Sequence, residues 1–503
     1  MSGDLQQTYD RFPYLSYPFP QSHPDRLATI GWLFGMAPAP VDRCRILEVG
    51  CASGGNVIPM AASLPNSEFV GVDFSPVQIT EGVADVGALG LTNLRLLPMD
   101  IMDFPEAMGT FDYIIAHGVY SWVPDAVQDR LLALCARHLA PAGIAYISYN
   151  ALPGWRTRSV VRDAMIYHTR GIDDPVKRVA QARAVLDFLA ESVKGDTTGY
   201  GTTIRQEAEH LRKQQDYYIL HEHLENVNQP VYFHEFVERA TRFELAYLGE
   251  ADFSAMLGSD FSRDVNETLA RVAPDVLKRE QFIDFIRGRT FRETLLVHQG
   301  VELTRKVSPV RVMSLRVASK ARPVRDTPDL QSNAVEEFRT PEGKGMSTAS
   351  RLAKAAMVVL AERWPLATAF DNLHAAAREK LVSPGASTDD ERARLASEML
   401  QCYAAGVLEL HHAPSPFVLD VGERPEASAV ARLQAKRGAP ATSLKHEHGS
   451  FNADTLRLFL LLDGTRTRRE IAATLWSGAP ESASLAELDR ALSTLARLAL
   501  MVR

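Results

Sequence analysis

The sequence predicts an α/β protein: an open, doubly wound sheet with a helical insertion, followed by α-rich C-terminal modules. Three observations carry this. From residue 45 to about residue 150, short β-rich apolar runs alternate with helical patterns, as parallel strands joined by crossover helices do. After Asn150 the strand signals stop, and charged helical stretches run on to residue 242. A segment rich in Pro, Asp, Ser and charge, 318–347, then precedes a final region of amphipathic helices.

The strand runs, in order, are RILEV (45–49), EFVGVD (68–73), LRLLPMD (94–100), YIIAHG (113–118) and AYISYN (145–150). Helices are expected between them over Val57 to Leu64, Pro76 to Leu89 and Ala126 to Leu139, with Pro141 and Gly143 closing the last. Right-handed crossovers make these five strands a doubly wound, Rossmann-like sheet. FELAYLGEA (243–251) and FRETLLVHQ (291–299) are two more strands, expected to complete the sheet with an antiparallel edge. Beyond 347, TASRLAKAAMVVLAERWP is an amphipathic helix with a Thr/Ser start and a Pro stop. DTLRLFLLLDG, TRREIAATLWSG and LAELDRALSTLARLAL form a second helical group; no internal repeat is strong enough to assign, and paired copies of a winged helix are one reading of the two groups. The expected division is an aromatic and Pro-rich N-terminal lid segment (1–44), a Rossmann-like core (45–155), a helical cap or dimerisation insertion (156–242), the end of that fold with a regulatory region (243–317), a linker or long loop (318–347), a helical module (348–415) and a winged-helix-like module (416–503).

The chain has 503 residues, too many for one ordinary core and suited to about three domains. Its 55 basic and 62 acidic residues leave a net charge of −7, the wrong sign for a general nucleic-acid binder. Cys44, Cys51, Cys135 and Cys402 form no CxxC pair and stand beside no His at metal-ligand spacing, so no metal site is expected and the thiols read as reduced or buried. No basic start followed by an apolar run opens the sequence, and no stretch of about 18 apolar residues occurs, so a cytoplasmic protein without a transmembrane segment is expected.

The strongest chemical signal is RILEVGCASGGNVIPMA, a strand running into a glycine turn and a helix. Gly50 and Gly54 let the backbone turn tightly and approach a ligand, Glu48 sits one step before the turn, and the helix offers unpaired N–H groups. Ala52 stands where the G-x-G-x-x-G dinucleotide fingerprint has its second glycine, which leaves a pyrophosphate less room. Asp73, 23 residues after Gly50, ends the second strand at the offset where an acid receives ribose hydroxyls. At the end of the third strand, Asp100 suits an adenine amino group and Ile101 can cover the base. The plain alternative is a tight turn, a helix cap at Asp73 and a loop acid at Asp100, but three such marks fall at successive strand ends.

Glu48-Val-Gly50-Cys-Ala-Ser-Gly54, Asp73 and Asp100 resemble the motifs of class I S-adenosylmethionine (SAM) methyltransferases. The resemblance implies SAM as cofactor, with Gly50, Cys51, Ala52 and Gly54 along its methionine part, Asp73 and the adjacent Phe74 at the ribose, and Asp100 with Ile101 at the adenine. Glu48, Tyr17, His117 and Asn56 complete the expected cofactor-binding set; Asn56 reads equally as a helix cap. Strand-end residues Tyr120, Trp122, Tyr149 and Asn150 are the candidates to line the acceptor and act in catalysis, because aromatic faces attract cations and methyl transfer chiefly needs alignment. Core packing is the alternative for Tyr120 and Trp122. In the N-terminal run, Tyr14, Tyr17, Phe19 and His23 form either a lid over the pocket or a packing arm.

The phrases YLSYPFPQSHPDRL, IIAHGVYSWVP, SYNALPGW, NVNQPVYFHEFV, LAYLGEADF and DFIRGRTFRETLLVH resemble bacterial methyltransferases that carry a methyltransferase regulatory domain. That group is similar to the rickettsial protein-lysine methyltransferases that modify outer-membrane proteins. The likeness spans about residues 9–300 and implies SAM, a homodimer and a protein or peptide lysine as acceptor. Methylation of a small natural product at N or O, and a non-catalytic SAM-binding scaffold or sensor, are the alternatives. FLLLDGTRTRREIAATL resembles winged-helix peptide-binding modules, or serves as an ordinary packing domain. His234 reads as structural, and Asp284, Arg287, Arg289 and Arg292 read either as a surface for an acidic partner or as an internal ion group with Glu250 or Glu293.

Overall fold

The computed structural model describes residues 16–258, 261–383, 385–478 and 480–503; Tyr14 lies outside them. Seven strands form the main sheet: β1 Arg45–Val49, β2 Glu68–Asp73, β3 Leu94–Pro98, β4 Phe111–Ala116, β5 Leu139–Asn150, β6 Leu245–Glu250 and β7 Phe291–His298. Their order is β3-β2-β1-β4-β5-β7-β6. β1 to β5 are parallel and β7 is antiparallel to both neighbours. Ile46, Phe69, Tyr113 and Ile144 enter the core on one face, and Leu47, Val70, Ile114 and Ala145 the core on the other. Burial on both faces is why these runs read as nearly continuous apolar stretches. Each large aliphatic side chain so buried contributes about 1.5–3 kcal/mol. Local chemistry agrees: over Pro76–Leu89, Ser75 accepts from the Gln78 N–H, Pro76 fills the first turn, and Gly90 ends the helix at φ 65°.

Two expectations need correction. The antiparallel strand expected at the edge lies one place inward, between β5 and β6. β5 begins at Leu139, not Ala145, because Leu139 pairs with Phe111 before the register shifts to Tyr113 and Ile144. Pro141 and Gly143 therefore fall in the bulge between these pairings, where the missing proline N–H costs no ladder bond.

After β5 the insertion forms helices Trp155–Thr169, Pro175–Ser192 and Gly199–Arg212 and a π-helical turn, Ile219–His223, around a core of its own that includes Met165, Leu186 and Leu211. The ion group is internal: Arg292 is fully buried and meets Glu250 at 2.5 Å, Asp284 at 2.8 Å and Glu280 at 3.1 Å. Arg289 meets Asp284 at 3.0 Å.

The segment 318–347, expected as linker or long loop, holds a three-stranded sheet of Arg322–Pro323, Glu336–Arg339 and Gly345–Thr348. Its Pro, Asp and Ser mark turns between strands, and Phe338 anchors it by complete burial. Two copies of one arrangement then share the C-terminal half. In the first, Arg316–Ala318 pairs with Thr368–Ala369 and Glu409–His411 beside helices Arg351–Arg363, Phe370–Glu379 and Asp389–Ala404. In the second, Glu426 bridges to Asp463 and Ala427 to Met501 beside helices Ala453–Phe459, Arg468–Leu475 and Glu481–Arg497. Among the described residues no helix is long and apolar enough to cross a membrane.

The first copy is tied to the helix Pro24–Leu33. Asp25 accepts from the backbone N–H groups of His412 and Ala413 and lies 2.8 Å from His411 Nδ1. Burial opposes a charge on His411, but hydrogen bonds to Asp25 and Glu409 outweigh it and push its pKa up to about 9. The stability it carries is fully present below about pH 6.5, the unperturbed histidine value, and is lost as pH rises through about 9. His411→Gln should flatten that loss in thermal melts taken from pH 6 to 10; an unchanged slope would refute the assignment.

Candidate functional site

A cavity of about 380 Å³ opens where the carboxyl ends of β1 and β4 diverge, the switch point of the strand order. Its near wall is the β1 turn. Gly50 and Cys51 donate backbone N–H bonds to Val72 O, and Gly54 donates to Cys51 O, so the loop folds back on β2. Gly50 takes φ 71° and a Cβ there would lie 2.5 Å from Val119 Cγ2, so only glycine fits. Ala52 also takes a left-handed φ, 50°. The loop thus keeps a glycine-like backbone without the glycine, at about 1 kcal/mol for a residue with a Cβ. Ala52→Gly should raise stability by up to about 1 kcal/mol, read as a higher melting temperature; a clear drop would contradict this.

Glu48 is the penultimate residue of β1 and lines the cavity. Asn56 Nδ2 donates to its Oε1 at 2.7 Å, while Oε2 is buried with no hydrogen-bond partner among the described residues. Burial pushes the Glu48 pKa up to about 8, the Asn56 bond opposing and Asp73 adding to the rise. Asn56 makes no side-chain cap to its helix; its Oδ1 accepts from the Phe19 N–H at 2.8 Å and from His446 Nε2 at 2.7 Å. At the end of β2, Asp73 accepts from Ala52 N–H at 2.8 Å and Ser75 N–H at 2.9 Å, which fixes the carboxylate at the cavity rim. Asp100 accepts from Met102 N–H, and with Phe74 and Ile101 it lines the same end.

Of the residues singled out in the sequence, Glu48, Gly50, Cys51, Ala52, Asn56, Asp73, Phe74, Asp100, Ile101, His117, Trp122 and Asn150 line this one cavity. Four do not. Tyr120 and Tyr149 are fully buried in the sheet core, Tyr149 stacked on Phe236 with ring centroids 4.2 Å apart. Side chains alternate along a strand, so Asn150 faces the cavity and Tyr149 must face away. Gly54 shapes the turn from behind. Tyr17 stacks on His448 at 4.6 Å, and its place on the cavity is taken by Phe19, stacked on His117 at 3.6 Å. His117, held neutral by burial that pushes its pKa down to about 3, sits 2.8 Å from the Tyr146 hydroxyl, which donates to Glu293.

The far wall comes from residues that sequence reasoning missed. The insertion contributes Trp155, Arg158, Tyr218, His221 and Glu222, and the start of β7 contributes Phe291. Tyr218, His221 and Glu222 sit at the π-helical turn, a local distortion that re-aims side chains and recurs at functional sites. Burial pushes the Glu222 pKa up to about 7, against the opposing charge of Arg158. The sequence signal was the run of Tyr, His and Glu that breaks the helical period of HLRKQQDYYILHEHL. This wall thus combines aromatic side chains, the Glu222 carboxylate and the Arg158 guanidinium, which lies 5.7 Å from the Trp155 ring centroid.

Comparison with known proteins agrees with this geometry. Residues 46–143 match the family described as "Methyltransferase domain", 215–298 the "Predicted methyltransferase regulatory domain", and 423–500 the "PKMT, C-terminal winged helix domain". The chain is 35% identical over 473 residues to the uncharacterized protein RP789 of Rickettsia prowazekii (strain Madrid E), covering 92% of this chain and 84% of that one. It is similar to PKMT2 from Rickettsia typhi at 29% identity and a TM-score of 0.86, covering 98% of this chain and 100% of that one. The same figures hold for that protein in complex with AdoHcy. A seven-stranded methyltransferase sheet with its cavity at the switch point, a regulatory region and a C-terminal winged helix thus occur together here, and the chain belongs to the SAM-dependent methyltransferases that carry a methyltransferase regulatory domain.

Proposed function

We propose that this methyltransferase acts on the side-chain amine of a lysine in a protein. The observation that carries the reading is that Trp155, Tyr218 and Phe291 line the far wall of the same cavity as Glu222, with Trp122 also on its lining. Aromatic faces favour a cationic lysine head, and a carboxylate whose pKa lies near 7 can take the proton that an amine must lose before it attacks. The relatives' PKMT designation supports the same substrate class.

The residues present fit SAM. Glu48 offers a buried carboxyl oxygen, unpartnered among the described residues, for a cationic amino group, Asp73 a rim carboxylate for ribose hydroxyls, and Asp100 with Ile101 and Phe74 a polar edge and apolar faces for a base. When bound, SAM supplies a methyl group on a sulfonium. The protein's own part is to align: the β1 turn fixes one end, Phe19 stacked on His117 narrows the middle, and the aromatic wall directs the acceptor.

Incubation with SAM labelled on its methyl group, a lysine-containing peptide library and free small amines, followed by digestion and mass spectrometry, tests the reading. Label on lysine side chains of peptides is the expected result. Label confined to small molecules, or on other side chains, would overturn it.

A further inference from the structure

The C-terminal module reaches the cofactor end of the cavity through a hairpin whose strands are Ala441–Thr442 and His448–Gly449. At its tip His446 takes φ 62°, is 4% exposed, and lies with Nε2 2.7 Å from Asn56 Oδ1. Because an amide oxygen only accepts, His446 must carry its proton on Nε2 and donate it. Asn56 is thereby held with its amide nitrogen toward Glu48 Oε1, 2.7 Å away, and toward Ser22 Oγ, 3.0 Å away. The hairpin makes a second contact, His448 stacked on Tyr17, next to Ser16, whose Oγ accepts from the Gly55 N–H of the cofactor loop. Outside the hairpin, Arg437 pairs with Asp85 on the helix Pro76–Leu89. The C-terminal module therefore grips both the loop after β1 and the helix after β2.

We propose that His446 is a positioning residue of the SAM site: through Asn56 it orients Glu48, so that cofactor affinity depends on how the C-terminal winged helix is seated. The inference rests on the reading of Glu48 as a cofactor-facing group and not on lysine as the acceptor. Its chemistry is specific. Without the His446 donor, the Asn56 amide oxygen keeps the Phe19 N–H as its close remaining donor, so the amide that holds Glu48 Oε1 is steadied less firmly. A mutation in a module that does not line the cavity would then appear as weakened cofactor binding with the transfer step intact.

Calorimetric titration of the full chain with SAM tests this. His446→Ala is expected to raise the dissociation constant about tenfold, with the KM for SAM rising in parallel and kcat at saturating SAM kept within about twofold. His446→Gln, which restores a donor, should bind within about twofold of wild type. Asn452→Ala removes a helix cap elsewhere in the same module and should leave SAM affinity unchanged even though it lowers the melting temperature. The inference is overturned if His446→Ala binds SAM like wild type, if His446→Gln is as weak as His446→Ala, or if Asn452→Ala weakens binding equally. Glu48→Gln separates the layers: unchanged binding there removes the Glu48 reading itself, whereas weakened binding there with normal binding in His446→Ala removes only the role of His446.

Discussion

Glu222→Gln is expected to lower kcat/KM for a lysine-bearing acceptor by about 100-fold at pH 7.5, while leaving SAM affinity within twofold. Glu222 faces the cavity from the π-helical turn, on the wall away from Glu48 and the glycine loop. Glutamine keeps the shape and hydrogen-bonding reach but accepts no proton. A lysine amine has an unperturbed pKa of about 10.4, so at neutral pH nearly all of it is protonated and unreactive. With the carboxylate present, the proton has a nearby acceptor whose pKa is about 7. The deficit should shrink as pH rises toward 10, because solvent then supplies the free amine without help. Rate measurements from pH 7 to 10 on both proteins check this; a deficit that stays constant with pH would place Glu222 in substrate binding alone, and no deficit would remove it from the site.

The second large effect concerns stability. Arg292→Leu should cost about 3–5 kcal/mol, because it leaves the buried Glu250, Asp284 and Glu280 with only Arg289, which reaches Asp284 and Glu250 but not Glu280, to offset their charge. The guanidinium makes bonds from Nε, Nη1 and Nη2 to three carboxylates and also lies 4.0 Å from the Phe233 ring centroid. Arg292→Lys should fall between, since an ammonium keeps the charge but not the planar fork. Scanning calorimetry of the full chain should show the transition of the catalytic fold moving down by about 10 °C for Leu and less for Lys. Equal melting of all three proteins would refute the cluster's role.

How much of this was legible in the sequence depends on how far apart the partners lie along the chain. The strands β1 to β4 and the helix Pro76–Leu89 were readable because burial on two faces and a Ser-Pro start leave local marks. The cofactor end was readable for the same reason: Glu48, Gly50, Ala52 and Asn56 stand within one turn, and Asp73 and Asp100 mark the ends of the next two strands. The end proposed to receive the acceptor draws on Phe19, Trp122, Trp155, Glu222 and Phe291, cavity-lining positions on separate segments that the folded topology brings together. Tyr120 and Tyr149 misled because aromatic residues at strand ends look alike whether they face a ligand or a core. Asn56 was legible as important and illegible in its role, since the partner that fixes its amide, His446, stands in another module.

That last separation also bears on the order of folding. Asn56 and His446 are 390 residues apart, and a contact so distant closes late, after the sheet and the helical modules have formed around their own local pairings. During synthesis at about 5–20 residues per second, the loop after β1 leaves the ribosome roughly 20–80 s before the histidine that steadies it. The nascent sheet can be complete during that interval while its cofactor loop still lacks its final hydrogen bond.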